Sequence, residues 1–131
     1  REELQRVYEE QQRKINDRVL KSFQEKLSRS GSFEEFRNIR REIEETQSAM
    51  SFSEEQQFLL EEVLEFHLSR LREIYLDNIF REINQHQTRE SLSAYWNNIK
   101  YELFSLRSSV GKEYESLIAR FVDERLNEMD E

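Results

Sequence analysis

Two histidines are the residues of this 131-residue chain whose side chains could serve acid–base or metal chemistry. The Glu-x-x-His pairing of di-iron helical bundles is absent at His67, because the residue three positions earlier is Leu64. His67 lies on an apolar stripe, so we expect a paired polar core contact or a partly hydrated notch. His86 follows Glu82 by four residues, a spacing that could hold a metal ion on one helix face. Its position near a helix C-terminus favours a simpler account, in which the imidazolium complements the helix dipole.

Other catalytic signatures are missing from the sequence. The chain has no cysteine, which excludes a thiol nucleophile and a cysteine metal site. The zinc-protease, nucleophile-elbow and P-loop patterns do not occur, and two glycines cannot form a glycine-rich phosphate loop. We therefore predict no catalytic residue, no metal site, no cofactor and no enzymatic activity.

Charge is distributed unevenly along the chain. Residues 1–50 carry 11 basic and 11 acidic groups, whereas residues 51–131 carry 9 basic and 17 acidic groups, which gives the net charge of −8. An acidic second half disfavours binding to nucleic acid or to an anionic membrane surface. No run of 18 apolar residues occurs, so the sequence predicts no membrane insertion. The absence of cysteine is compatible with a reducing intracellular compartment.

The chain contains no proline and only two glycines, which favours long helices. Any functional side chain is therefore expected to be positioned by a helix. Apolar residues recur at spacings of three and four, which predicts an all-α fold of five helices. Serine and threonine residues mark the expected breaks and caps at Ser32, Ser53, Thr88 and Ser109. The predicted helices cover about 1–28, 33–49, 54–85, 89–107 and 112–129.

Three helices can be aligned with one another in order along the chain, although any two amphipathic helices can be aligned at some offset. When the sequence is shifted along itself by a nearly constant offset, the apolar positions of successive helices coincide, as in Leu4 with Leu60, Leu60 with Ile118, and Ile43 with Leu103. We therefore expect one helical module with an internal duplication, about 1–66 and 67–131, arranged as two small three-helix bundles that share the long central helix. The truncated first and last repeats, with Arg1 in place of an initiator methionine, lead us to expect a fragment of a larger protein.

Two segments resemble known families. Ser32-Phe-Glu-Glu-Phe36, followed by residues 48–55 and an apolar helix, resembles the FF domain, although that family's Asp-Pro-Arg segment is absent from this proline-free chain. The FF resemblance implies tandem copies that bind phosphopeptides. Residues 93–99 are similar to the helical PHIST domain of malaria exported proteins.

Surface residues remain as the candidates for function. The four aromatic residues Tyr95, Trp96, Tyr101 and Phe104 lie close together in the sequence, and large aromatic side chains left outside a core are typical interface anchors. A stretch without basic residues contributes five carboxylates: Glu54, Glu55, Glu61, Glu62 and Glu65. Packing of five helices could instead bury the aromatic residues, and such a run of glutamates can be only a solvated helix face. We expect a non-catalytic interaction or scaffold module that displays these residues to another protein. The alternative is a structural bundle that self-associates as a dimer.

Overall fold

The computed structural model describes residues 1–129, and all regular secondary structure within that range is helical. Six helices follow one another: α1 (Glu2–Arg29), α2 (Phe33–Ala49), α3 (Glu54–Gln85), α4 (Arg89–Ser105), α5 (Arg107–Val110) and α6 (Lys112–Glu128). The prediction of five helices missed α5, a single turn in the segment expected to be a break. Burial explains the turn, since Val110 is 2% exposed and its amide donates to the carbonyl of Leu106 at 2.9 Å.

Three of the four expected caps are present. The hydroxyl of Ser32 accepts a hydrogen bond from the amide of Glu35 at 3.1 Å, and Thr88 accepts one from the amide of Ser91 at 3.1 Å. The hydroxyl of Ser53 accepts from the backbone amide of Gln56 at 3.1 Å, and the amide of Ser53 donates to Oε1 of Gln56 at 3.0 Å, which is a capping box at the start of α3. These caps satisfy amides that the first helical turn leaves without a partner.

The expected cap at Ser109 is wrong. Ser109 lies buried within α5, and Gly111 occupies the position before α6 with no side-chain cap. The φ angle of Gly111 is 87°, a conformation that glycine adopts without the steric cost of a Cβ atom. Helix α6 therefore begins after a glycine turn, and no serine side chain caps it.

The chain divides into two compact units, Arg1–Ser69 and Arg70–Glu131, and the division falls within α3. The first unit contains α1, α2 and the first part of α3, with a core of Leu20, Phe23, Leu27, Phe33, Phe36, Ile43, Phe52 and Leu60. The second contains the rest of α3 with α4, α5 and α6. Its core comprises Leu71, Ile79, Ile83, Leu92, Ile99, Leu103, Val110, Ile118 and Val122.

A buried polar contact joins α1 to the start of α3. Asn16 is 2% exposed and donates through Nδ2 to the carbonyl oxygen of Ser51 at 2.8 Å and to Oε1 of Gln56 at 3.1 Å. Gln56 in turn donates through Nε2 to a carboxylate oxygen of Asp17 at 3.0 Å. Because buried polar groups are costly unless hydrogen-bonded, this contact fixes the lengthwise position of α1 against α3.

The first half of α1 is largely exposed. Its apolar residues Leu4, Val7, Tyr8 and Ile15 are 76%, 51%, 67% and 47% exposed. Burial on α1 begins at Asn16. Within residues 1–129, no helix combines the length and the apolar character needed to cross a bilayer.

Candidate interaction surfaces

The structure places the two histidines in different units, each against an aromatic ring. His67 is 9% exposed, and its ring meets the edge of Phe66 at a centroid separation of 5.2 Å. His86 follows the last residue of α3, where its Nδ1 contacts the hydroxyl of Ser91 and its ring lies 5.0 Å from that of Tyr95. Among the described residues, no three histidine or acidic side chains come together in a way that could hold a metal ion.

Tyr95 and Trp96 are partly buried on α4. The ring of Trp96 has the ammonium of Lys100 at 5.5 Å from its centroid, within the range of a cation–π contact. A shallow groove of about 330 Å³ beside Trp96 is also lined by Arg107 and Lys112, which gives it a basic edge.

Tyr95 sits in an environment that keeps its phenol neutral. Partial burial, followed by the negative charges of Glu82 and Glu102, raises the pKa of Tyr95 to about 12. Burial also raises the pKa of Tyr75, whose hydroxyl donates to a carboxylate oxygen of Glu102 at 3.0 Å. Both phenols therefore stay protonated at neutral pH, and that of Tyr75 joins α3 to α4 through Glu102.

Tyr101 and Phe104 lie on the solvent side of the same helix. Tyr101 is 81% exposed and Phe104 is 71% exposed, whereas Ile99 and Leu103 on the opposite side of α4 are 8% and 1% exposed. The guanidinium of Arg107 lies 5.8 Å from the centroid of the Phe104 ring. Two large aromatic side chains therefore project from a helix that is anchored by its other face.

The five glutamates of the acidic stretch are all exposed on α3. Glu54 and Glu55 occupy its first turn, where negative charge is favourable to the helix dipole. Glu61, Glu62 and Glu65 lie further along, beyond the range of the N-terminal dipole.

Apolar side chains interleave with these glutamates on α3. Phe58 is 59% exposed, Leu59 is 47% exposed and Phe66 is 66% exposed. Leu59 and Phe66 widen the apolar stripe of α3 in the sequence, which predicts more than one neighbouring helix, but both remain exposed. Carboxylates and apolar groups thus share one face of the first part of α3.

No family model, curated protein or solved structure matches this chain.

Proposed function

We propose that this chain is a non-catalytic protein-interaction module, in which packed helices hold aromatic and acidic side chains at the surface for a partner protein. The observation that carries this proposal is the exposure of Tyr101 and Phe104 on a helix whose other face is buried. Exposed rings lose contact with water on binding, which stabilises a complex, and aromatic residues dominate the energetics of protein interfaces.

The charge around these rings indicates the chemistry of the partner. Lys100 and Arg107 lie one turn to either side of Phe104 on the helical surface, and Arg107 contacts its ring. A partner surface with apolar and acidic groups would complement this part of α4. The acidic stretch on α3 belongs to the first unit and presents the opposite charge.

We further propose that the module is a tandem of two three-helix units, each using part of α3. Positions paired by the duplication make corresponding hydrogen bonds, which supports it. Asn16 donates to the carbonyl of Ser51 at 2.8 Å, and their counterparts in the second unit are Arg72, which donates at 2.6 Å, and Ser109, whose carbonyl accepts. The capping residues Ser32 and Thr88 are separated along the chain by the same offset as Asn16 and Arg72.

The proposal is tested by capture from a native extract with the wild-type chain and with the double variant Tyr101→Ala/Phe104→Ala. Because both side chains are exposed, the variant should keep its helical circular dichroism and melting temperature. Any protein that binds through this surface should be depleted from the variant's captured fraction by about tenfold or more. A matched control replaces Asn97, an exposed polar residue of α4, with alanine.

Self-association is the second candidate function. The exposed stripe on the first half of α1 favours it, because Leu4, Val7, Tyr8 and Ile15 form an apolar surface that a second chain could cover. Basic and acidic residues are interspersed around this stripe in equal number over residues 1–18, so charge does not oppose pairing of two copies.

A further inference from the structure

A groove in the first unit lies between α1 and the first part of α3. Its volume is about 520 Å³, and its lining includes the apolar side chains of Leu59, Val63 and Phe66. An adjoining depression of about 300 Å³ shares Leu59 and Val63 and continues along α1 to Asp17. The combined surface, hereafter the α1–α3 groove, follows α1 from Asp17 to Ser28, about 17 Å at about 1.5 Å per residue. That length matches three turns of a docked helix.

In the second unit, a pair of aromatic rings lies at the position that corresponds to the middle of this groove. There, Phe80 on α3 and Phe121 on α6 pack with ring centroids 4.2 Å apart. The proposed duplication pairs Phe80 with Gln24, by the offset that relates Arg72 to Asn16, and Phe121 with Val63, by the offset that relates Ser109 to Ser51. Neither Gln24 nor Val63 supplies a ring, and both line the α1–α3 groove. The position filled by this aromatic pair is therefore open between Gln24 and Val63, whereas the neighbouring surface of the second unit, lined by Leu76, Asp77 and Leu117, is also an open depression, of about 370 Å³.

Acidic residues outnumber basic residues along the groove. Glu62 on α3 and Glu25 on α1 line it, with Lys21 as the basic lining residue. Glu61 and Glu65 are exposed on α3 beside Glu62, and residues 54–66 contain five acidic and no basic side chains. A ligand with lysine or arginine next to its apolar surface is favoured here over an acidic one.

We propose that the α1–α3 groove binds an amphipathic helix of another protein, with an aromatic side chain on its apolar face and basic residues beside that face. The aromatic side chain occupies the space between Gln24 and Val63, while the basic residues meet Glu62 and its neighbours. Helices commonly dock in apolar grooves through anchors spaced three, four and seven residues apart. This inference deepens the proposed function and rests on it, but it uses a surface separate from Tyr101 and Phe104.

The test uses the full chain and a fluorescently labelled synthetic peptide of three to four helical turns. The peptide carries tryptophan and leucine on one face and lysine on its flanks, and a control peptide carries glutamate in place of each lysine. Fluorescence anisotropy should show binding of the lysine peptide at least about tenfold tighter than binding of the glutamate peptide. The affinity should fall with added salt, because exposed charges are screened.

Two variants locate the binding. Gln24→Phe/Val63→Phe introduces the aromatic pair of the second unit and should abolish peptide binding while the chain remains folded. Glu62→Lys/Glu65→Lys changes exposed side chains only, and it should reverse the preference between the two peptides. Tyr101→Ala/Phe104→Ala is the matched control and should bind the lysine peptide as the wild type does.

Three results would overturn the inference. They are equal affinity for the two peptides, unchanged binding after Glu62→Lys/Glu65→Lys, and a dimer that sedimentation shows to be lost in Gln24→Phe/Val63→Phe. The last result would make a second copy of this chain the occupant. If the peptide fails to bind but Tyr101→Ala/Phe104→Ala still depletes a captured protein, this inference fails and the proposed function stands.

Discussion

Individual polar residues determine how the helices of each unit align. In the first unit, Asn16 is enclosed between α1 and the start of α3, and its two donated hydrogen bonds reach Ser51 and Gln56. In the second unit, Arg72 makes the comparable bond to the carbonyl of Ser109. A buried polar group stabilises a single alignment, because any slip along the helix axis leaves it without partners.

Replacing Asn16 with alanine should lower the free energy of unfolding by about 1–3 kcal/mol, since the substitution leaves the carbonyl of Ser51 and the buried side chain of Gln56 short of a donor. Urea denaturation followed by circular dichroism measures this change. Gln12→Ala is the control, because Gln12 is less buried and reaches the same cluster only through one bond of 3.2 Å to Asn16. Equal destabilisation by the two substitutions would contradict the role given to Asn16.

Stability should fall in alkali through Tyr95. Its pKa is raised to about 12 in the folded chain, whereas an unfolded tyrosine titrates near 10. The unfolded state therefore releases its proton first, so the contribution of Tyr95 is intact below about pH 10 and declines as the pH rises toward 12. Tyr95→Phe removes this titration, and the variant should lose less stability than the wild type between about pH 8 and pH 11. Identical losses in the two proteins would show that Tyr95 does not contribute.

Helices as elements differ in how completely they are covered. α4 buries Leu92, Ile99 and Leu103 and exposes Tyr101 and Phe104 on its other side. α1 is covered only from Asn16 onward, although its first half carries apolar residues at helical spacing. In the proposed duplication these residues correspond to residues of α3, among them Leu60 and Leu71, which are 2% and 4% exposed. The first half of α1 thus has the apolar spacing of a buried helix face, but no helix of its own unit packs against that face.

If that half of α1 mediates self-association, sedimentation velocity should detect a dimer at high protein concentration. Leu4→Glu/Tyr8→Glu should then sediment as a monomer with unchanged helical content, because the substituted side chains are exposed and lie outside the core of the first unit. A wild-type chain that stays monomeric throughout would eliminate the dimer. A variant that still dimerises would place the contact elsewhere.

The sequence predicted the positions of the long helices well, because apolar spacing and the caps at Ser32, Ser53 and Thr88 are local signals. It did not predict α5, which forms because tertiary packing buries Val110. The apolar spacing of α1 predicts one stripe through Ile15, Val19, Phe23 and Leu27. Phe23 and Leu27 are buried as predicted, but Asn16 and Leu20 are buried where the stripe predicted Ile15 and Val19. A polar residue at a core position is not detected by apolar spacing.

The interaction surfaces were harder to predict from the sequence than the helix positions. Spacing separated Tyr101 and Phe104 from the buried side of α4, but only packed neighbours determine how far each ring is exposed. The α1–α3 groove was not expected, because its shape depends on which side chains of two different helices, Gln24 and Val63 among them, lie on either side of it. Local sequence patterns do not show which residues of two distant helices lie opposite each other.

At the scale of the whole molecule, two compact units present different chemistry. The first unit has a groove with acidic edges, and the second has exposed aromatic rings beside Lys100 and Arg107. Under the proposed duplication, the two units share core positions and differ in their surface residues. A module of this kind could bind two chemically distinct segments of partner proteins.

The amount of each extract protein that the chain captures measures whether it binds a protein through its displayed side chains. We expect at least one protein whose recovery falls about tenfold in Tyr101→Ala/Phe104→Ala and stays at the wild-type level in Asn97→Ala. Circular dichroism of the double variant should match that of the wild type. Identical captured fractions from all three chains would show that Tyr101 and Phe104 do not mediate binding. Melting of the fold in the double variant would show that they belong to the core.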